Sequence, residues 1–238
     1  MIISALDIDF KELNKQVKAA GENVRIENCY GQRFIGSGLK GKTVTISGTP
    51  GNALGAYLDG AKIEVRGNAQ DATGDTMNDG KIVIYGNAGD ALGYAMRGGS
   101  IFVRGNSGYR TGIHMKEYKD KKPTIIVGGR VGSFLGEYLA GGLIIVLGID
   151  SADVPVGNFT GTGMHGGKIF LRTDKQPVNL PAQVTCEIAA GDDLTEITPV
   201  VREFAGLFEM DAQALMKDRF YVLKPNAKNP YKQLYTMN

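Results

Sequence analysis

Apolar residues recur along this chain in a fixed triplet tied to glycine. Gly36, Gly55, Gly74 and Gly93 stand nineteen residues apart, and after each an apolar side chain follows at the third, eighth and tenth positions. The same order, with longer loops, follows Gly112, Gly136 and Gly161. The first apolar column reads Leu39, Leu58, Met77, Met96, Met115, Leu139, Met164. The second reads Val44, Ile63, Ile82, Ile101, Ile125, Ile144, Ile169, and the third Ile46, Val65, Ile84, Val103, Val127, Val146, Leu171. A closing glycine comes two residues later, from Gly48 to Gly148, until Thr173 breaks the series. Two loops are longer, with insertions at 117–121 and 149–154.

Alternation of the second and third columns about one position is a strand signal, and no helical stripe accompanies it. A nineteen-residue unit is too short for a helix pair or a propeller blade. It matches one coil of a parallel β-helix, whose neighbours lie about 4.8 Å apart and stack like side chains on one another. Glycine then serves the corners, where the chain turns sharply and the interior leaves no room for a Cβ. The predicted fold is an all-β, right-handed parallel β-helix of about seven to eight coils with short helical caps. A single coil buries too little to hold itself, so the repeat is what makes the fold.

Both ends of such a stack need covers. Residues 7–21 predict an N-terminal helix, with Asp9 three before Glu12, an apolar face of Phe10, Leu13, Val17 and Ala20, and Gly21 as its stop. The strand Val24-Arg25-Ile26 leads into the stack. Past Thr173 the pattern stops. Residues 176–181 read as a linker and 182–190 as one more strand. Thr198-Pro199 reads as the start of a helix bearing Val201, Phe204, Ala205 and Phe208. A short helix from Asp211 and a strand Phe220–Leu223 follow, and "KPNAKNPYKQLYTMN" closes the chain as either a disordered tail or an arm on another subunit. The predicted organisation is therefore 1–23 as cap, 24–175 as β-helix and 176–238 as C-terminal cap and tail, in one structural domain.

The position between the paired apolar columns should face outward. It holds Thr45 and Glu64, then Val83, Phe102, Ile126, Ile145 and Phe170. Those five make an apolar stripe about 20 Å long, a candidate interface to be covered by the chain's own C-terminal segment or by another protein.

Composition changes this picture little. The chain has 238 residues, 34 glycines without a Gly-X-Y period, and 27 basic against 25 acidic residues, so nothing in its charge calls for nucleic acid or a membrane surface. Its opening residues, Met1 to Asp7, lack a basic segment, which argues against a secretory signal and for a soluble, cytoplasmic protein. Cys29 and Cys186 are too few for a disulfide framework or an iron–sulfur cluster. His114 and His165 fall in different columns with no ligand spacing around them, as loop histidines bonded to backbone or water would. Asp71 and Asp90 share a column in adjacent coils, about 5 Å apart at Cα, the spacing of a retaining glycosidase pair; aspartate in a glycine-rich turn is also ordinary. "GNAGDALG" lacks the lysine and the following helix of a phosphate loop. No catalytic, metal or cofactor residue is assigned.

The glycine ladder, together with "VRIENCYGQRFIGSGLKG" (24–41), "GGRVGSFLGEYLAGGLIIVLG" (128–148) and "GTGMHGGKIFLR" (161–172), resembles the GXGXG β-helix domain of glutamate synthase, in its freestanding archaeal-type form. The β-helix subunit of formylmethanofuran dehydrogenase carries a similar repeat. The resemblance implies a non-catalytic scaffold in an assembly that makes glutamate from glutamine and 2-oxoglutarate, beside amidotransferase and FMN/iron–sulfur synthase chains that hold the cofactors. The alternatives are the equivalent subunit of a formylmethanofuran dehydrogenase and a β-helix carbohydrate-active enzyme resting on Asp71 and Asp90.

Overall fold

The computed structural model describes residues 1–226. The first strand, β1 (Ile2–Ser4), and helix α1 (Phe10–Ala19) precede the stack. Eight parallel strands then follow, one per coil: β2 (Asn23–Tyr30), β3 (Thr43–Thr49), β4 (Asp59–Arg66), β5 (Asp79–Ile84), β6 (Ser100–Val103), β7 (Thr124–Val127), β8 (Ala140–Val146) and β9 (Gly166–Arg172). After them come β10 (Val184–Ile188), α2 (Asp192–Phe208), α3 (Ala212–Lys217) and β11 (Phe220–Pro225). All eleven strands form one sheet, in the order β1 to β9, then β11, then β10.

The register confirms the parallel β-helix. Ile63 pairs with Ile82, Ile82 with Ile101, Ile101 with Ile125, Ile125 with Ile144 and Ile144 with Ile169. All of these isoleucines are fully buried. A second, narrower ladder runs through Ala69, Ala88, Ser107, Val131 and Val156. Even the glycine corner is a ladder: Gly55 donates its N–H back to Ile35 O at 2.8 Å, while Ala53 donates forward to Asp71 O at 2.9 Å. Corner backbone groups thus find partners one coil away, which is why the corner can repeat without water.

The signature glycine is fixed by close approach. A Cβ on Gly93 would stand 2.4 Å from Ile125 Cδ1, in the next coil, and Gly93 holds φ +66°. Each coil's corner glycine therefore makes room for the isoleucine of the coil after it. At the last coil the isoleucine is gone, and Val184 of β10 fills its place over Gly161.

At the front end, Asp9 caps α1 by accepting from Lys11 and Glu12 N–H, and Leu13 and Val17 are buried against the first coils. The helix does not end on Gly21, whose φ is not left-handed. Instead Lys42 Nζ reaches up from the stack to the carbonyls of Val17 at 3.2 Å and Lys18 at 2.8 Å, and to Ala20 O. A lysine at a helix C-terminus satisfies its orphan carbonyls and complements its dipole.

At the back end, β11 turns antiparallel onto β9 and β10 antiparallel onto β11. Helix α2 begins at Asp192, seven residues earlier than a Thr198 cap with Pro199 in the first turn suggests, so Pro199 lies inside it. Thr198 does not cap; its Oγ1 donates to Leu194 O at 2.7 Å. The earlier start extends the helix through Ile197, also buried, and places Asp192 and Asp193 in its first turn. Short β1, with no period of its own, is a strand the sequence pattern does not announce. The sequence from 227 onward, which holds most of the closing tail, lies outside the described residues.

Candidate interaction surfaces

The outward stripe is covered by the chain itself. Val83, Phe102, Ile126, Ile145 and Phe170 are 0–1% exposed and form one cluster with Ile197, Val201, Phe204, Ala205 and Phe208 of α2. The Phe204 ring sits where Gly128 has no side chain; a Cβ there would lie 2.8 Å from its Cζ. Of the two covers the stripe allowed, the described structure contains the internal one, and these five residues form an interface between sheet and helix.

Polar contacts pin that helix. Lys168 Nζ lies 2.8 Å from Asp193 Oδ1 and 2.8 Å from Glu196 Oε2, and Lys224 Nζ lies 2.8 Å from Asp193 Oδ2. Lys122 also reaches Glu196, and Lys81 reaches Glu203. Burial pushes the Asp193 and Glu196 carboxyls up, but hydrogen bonds from Lys168, with Lys224 on Asp193 and Lys122 on Glu196, outweigh it and hold both below their ordinary values. Burial likewise works against the Lys168 ammonium, yet its two carboxylate partners raise its pKa.

Asp71 and Asp90 serve the ladder. Asp71 Oδ1 accepts the N–H of Asp90 at 2.9 Å, and Asp90 Oδ1 accepts that of Tyr109 at 2.8 Å. One oxygen of each carboxylate is thus committed to the coil above, a role in which a turn aspartate replaces a backbone acceptor. His165 lies near the Gly163 carbonyl, Nδ1 to O 3.1 Å. His114 stacks on Tyr138 with ring centroids 5.0 Å apart, and Tyr94 meets its other side edge-on at 6.0 Å. Among the described residues no group of three His, Cys, Asp or Glu is placed to hold a metal. Burial pushes the Cys29 thiol up to about 11 against the lowering effect of its contact with Gln32, and burial also raises Cys186. Neither is a ready thiolate.

Two surfaces are not announced by the inward pattern. One is an aromatic ridge on the glycine corner of the later coils. Tyr94, His114 and Tyr138 form one row; Arg110 over Phe134, stacked on Phe159 at 4.9 Å, forms the next. Arg110 pairs with Glu137 at 3.3 Å, and Phe159 is 57% exposed. The other is an open groove of about 680 Å³ bounded by the 149–154 insertion and Met210, with Asn87, Asn106, Arg104 and Arg130 along it. Both follow columns a full coil apart, so the nineteen-residue period could have found them had outward positions been read as closely as inward ones.

The geometry defines a class, a capped parallel β-solenoid with glycine corners. The chain belongs to the GXGXG motif family, whose model matches residues 7–226. It is 41% identical to the uncharacterized protein MJ1350 of Methanocaldococcus jannaschii, over 99% of this chain and 96% of that one. Among solved structures, it is similar in fold to a chain of the formyltransferase/hydrolase complex FhcABCD of Methylorubrum extorquens, determined with methylofuran. That likeness has a TM-score of 0.59 at 17% identity and covers 84% of this chain and 73% of the other. No helix among the described residues is long and apolar enough to cross a membrane.

Proposed function

We propose that this chain is a structural subunit of a glutamate synthase-like assembly in the cytoplasm. It holds an amidotransferase and an FMN/iron–sulfur synthase chain in register while glutamine and 2-oxoglutarate become glutamate. The observation that carries this reading is the GXGXG match across nearly the whole described chain. The form of the molecule supports it: the apolar stripe is closed internally, and the exposed rings of the corner ridge have the composition of a protein contact. Flavin and cluster belong, in this reading, to the partner chains.

A second reading is the β-helix subunit of a formylmethanofuran dehydrogenase, favoured by the fold likeness to a chain of FhcABCD. For the carbohydrate-active alternative, Asp71 and Asp90 each already have a ladder role through one oxygen. Native purification of the chain from its host, with mass spectrometry of what accompanies it, decides among these. Amidotransferase and flavoprotein chains are expected. Molybdenum or tungsten in the complex would favour the second reading, and a chain that purifies alone as a monomer would overturn both.

A further inference from the structure

We infer that β10, the last strand of the sheet, is the contact by which two copies of this chain join end to end, antiparallel about a two-fold axis at Cys186. β10 pairs with β11 on one side and forms the edge of the sheet on the other. The phase of its hydrogen bonds is fixed at both ends. Ala189 donates its N–H to Phe220 O at 2.8 Å, and Gln183 O accepts from Asn226 N–H at 2.8 Å. Bonded residues alternate in an antiparallel pair, so β11 also takes Thr185 and Glu187, and the backbone groups of Val184, Cys186 and Ile188 point to the open side. Val184 N–H is spent on Pro181 O at 2.9 Å. The N–H and C=O of Cys186 and Ile188, and the C=O of Val184, have no partner among the described residues.

An edge of this kind is ordinarily guarded by brevity, a lysine, a proline or a bulge. Brevity guards the opposite end of the sheet, where β1 has three residues. β10 has five, Val-Thr-Cys-Glu-Ile, paired with β11 without a break in register, and Ile188 is 59% exposed at its end.

The sequence of the strand selects its occupant. Turned end for end about Cys186, the strand meets its own complement: Val184 against the second copy's Ile188, Thr185 against Glu187, Cys186 against Cys186. The two Cys186 residues exchange a pair of N–H to C=O bonds across the axis, and each Ile188 N–H donates to the other copy's Val184 O. Neighbouring registers do worse. Centred on Glu187, the pairing sets like charges face to face. Centred on Thr185, it calls on the Val184 N–H that Pro181 already holds. Centred on Ile188, it calls on the Ala190 carbonyl, which accepts from Asp193 N–H at 3.1 Å. Val184 and Cys186 pack on the core of the solenoid, and a two-fold axis perpendicular to the sheet brings the same faces of both copies together. The exposed Ile188 then gains an apolar cross-strand neighbour. A head-to-tail joint of β10 on β1 would instead repeat without closing.

The test is sedimentation of the full isolated chain, which should be a dimer with a dissociation constant below about 100 µM. Ile188→Pro removes an N–H that β11 does not use, a change an edge strand tolerates, and should weaken the dimer about tenfold or more. Ile188→Lys places a charge at the edge, should do the same, and carries the test if the proline unfolds the strand. Register is read by disulfide trapping in a Cys186→Ser background. Residues 185 and 187 of opposite copies would face each other at about 4.5 Å between Cα atoms, within disulfide reach. A mixture of the Thr185→Cys and Glu187→Cys variants should therefore cross-link between chains, and either variant alone should not. A monomer at about 100 µM, species that grow beyond the dimer, a dimer that neither Ile188 variant weakens, or a mixed pair that fails to cross-link overturns the inference. So does slow amide exchange at Cys186 and Ile188 that persists on dilution, which would assign the edge to another segment of this chain. The isolated chain suffices throughout, so the outcome is independent of the proposed scaffold role.

Discussion

At the scale of single residues, the fold turns on one contact repeated between coils, corner glycine against the next coil's isoleucine. Gly93→Ala places a methyl group 2.4 Å from Ile125 Cδ1 and forces an L-residue to hold φ +66°. Strain and overpacking together should cost about 2–4 kcal/mol in urea unfolding. Ile125→Val removes the offending carbon, so the double variant should be less destabilised than the two single costs combined. Strict additivity would show that the corner glycine answers to something other than its neighbour. Gly206 provides the opposite case: it is exposed inside α2 with nothing within 4 Å of a Cβ. Gly206→Ala should raise stability by about 1 kcal/mol, the helix-propensity difference, and a loss there would mean an unseen contact. The inward columns were legible because burial on a narrow axis demands the same residue type in every coil. Outward columns are under no such demand, so Asn68, Asn87 and Asn106 carry no hydrophobic signal although they share the period. Lys42's grip on α1 was not legible at all, because a long side chain meets carbonyls more than twenty residues away.

Among the elements, α2 is held by both an apolar seam and charge, and the two can be separated. Phe204 fills the gap at Gly128 and touches the stripe. Phe204→Ala should cost about 3–5 kcal/mol and speed amide exchange in α2 well before exchange in β5 to β8. Equal acceleration everywhere would argue against a separable cap. The pH dependence follows from the carboxylates. Asp193 and Glu196 have folded pKa values below their ordinary 3.8 and 4.5, so their contribution is complete above the ordinary values. It is lost as pH falls through the depressed folded values. Lys168, raised above 10.5, contributes fully below that value and loses its contribution only as pH climbs through its folded one. The cap should therefore stay docked through neutral pH and loosen in acid, uncovering the stripe. Binding of a hydrophobic dye should rise only below about pH 4 while strand circular dichroism persists. An onset near neutral pH would show that Asp193 and Glu196 do not hold the cap. The helix's early start was hidden because Pro199 looks like a beginning, although Asp192 and Asp193 at its first turn are themselves a start signal. Tertiary cover, through Ile197 and the lysine contacts, overrides that local signal.

For the molecule as a whole, the question is whether the rod is a ruler. Contacts in a solenoid run to the nearest neighbours, so one full period should be removable without damage to the rest. Deleting residues 55–73, nineteen in all, joins Leu54 to Gly74 and gives the lost apolar columns counterparts one coil back, while Ala69, which donates to Asn87 O, is replaced by Pro50 and Asn68, which accepts from Asn87 N–H, by Thr49. Gly36 would then face Ile82 in place of Ile63, and Ala53 N–H would meet Asp90 O in place of Asp71 O. The footprint of α2 begins at Lys81 and Val83, beyond the deleted residues. The shortened chain should fold and unfold in a single transition and be shorter by about 4.8 Å. If the chain positions partner subunits, that displacement separates surfaces that must be occupied together. Partner chains should then bind singly and no longer assemble around one rod, as gel filtration of the reconstituted mixture would read. An aggregated deletion variant would show that the coils are not interchangeable. A shortened rod that still assembles its partners would leave the fold intact and remove the ruler from the proposed role.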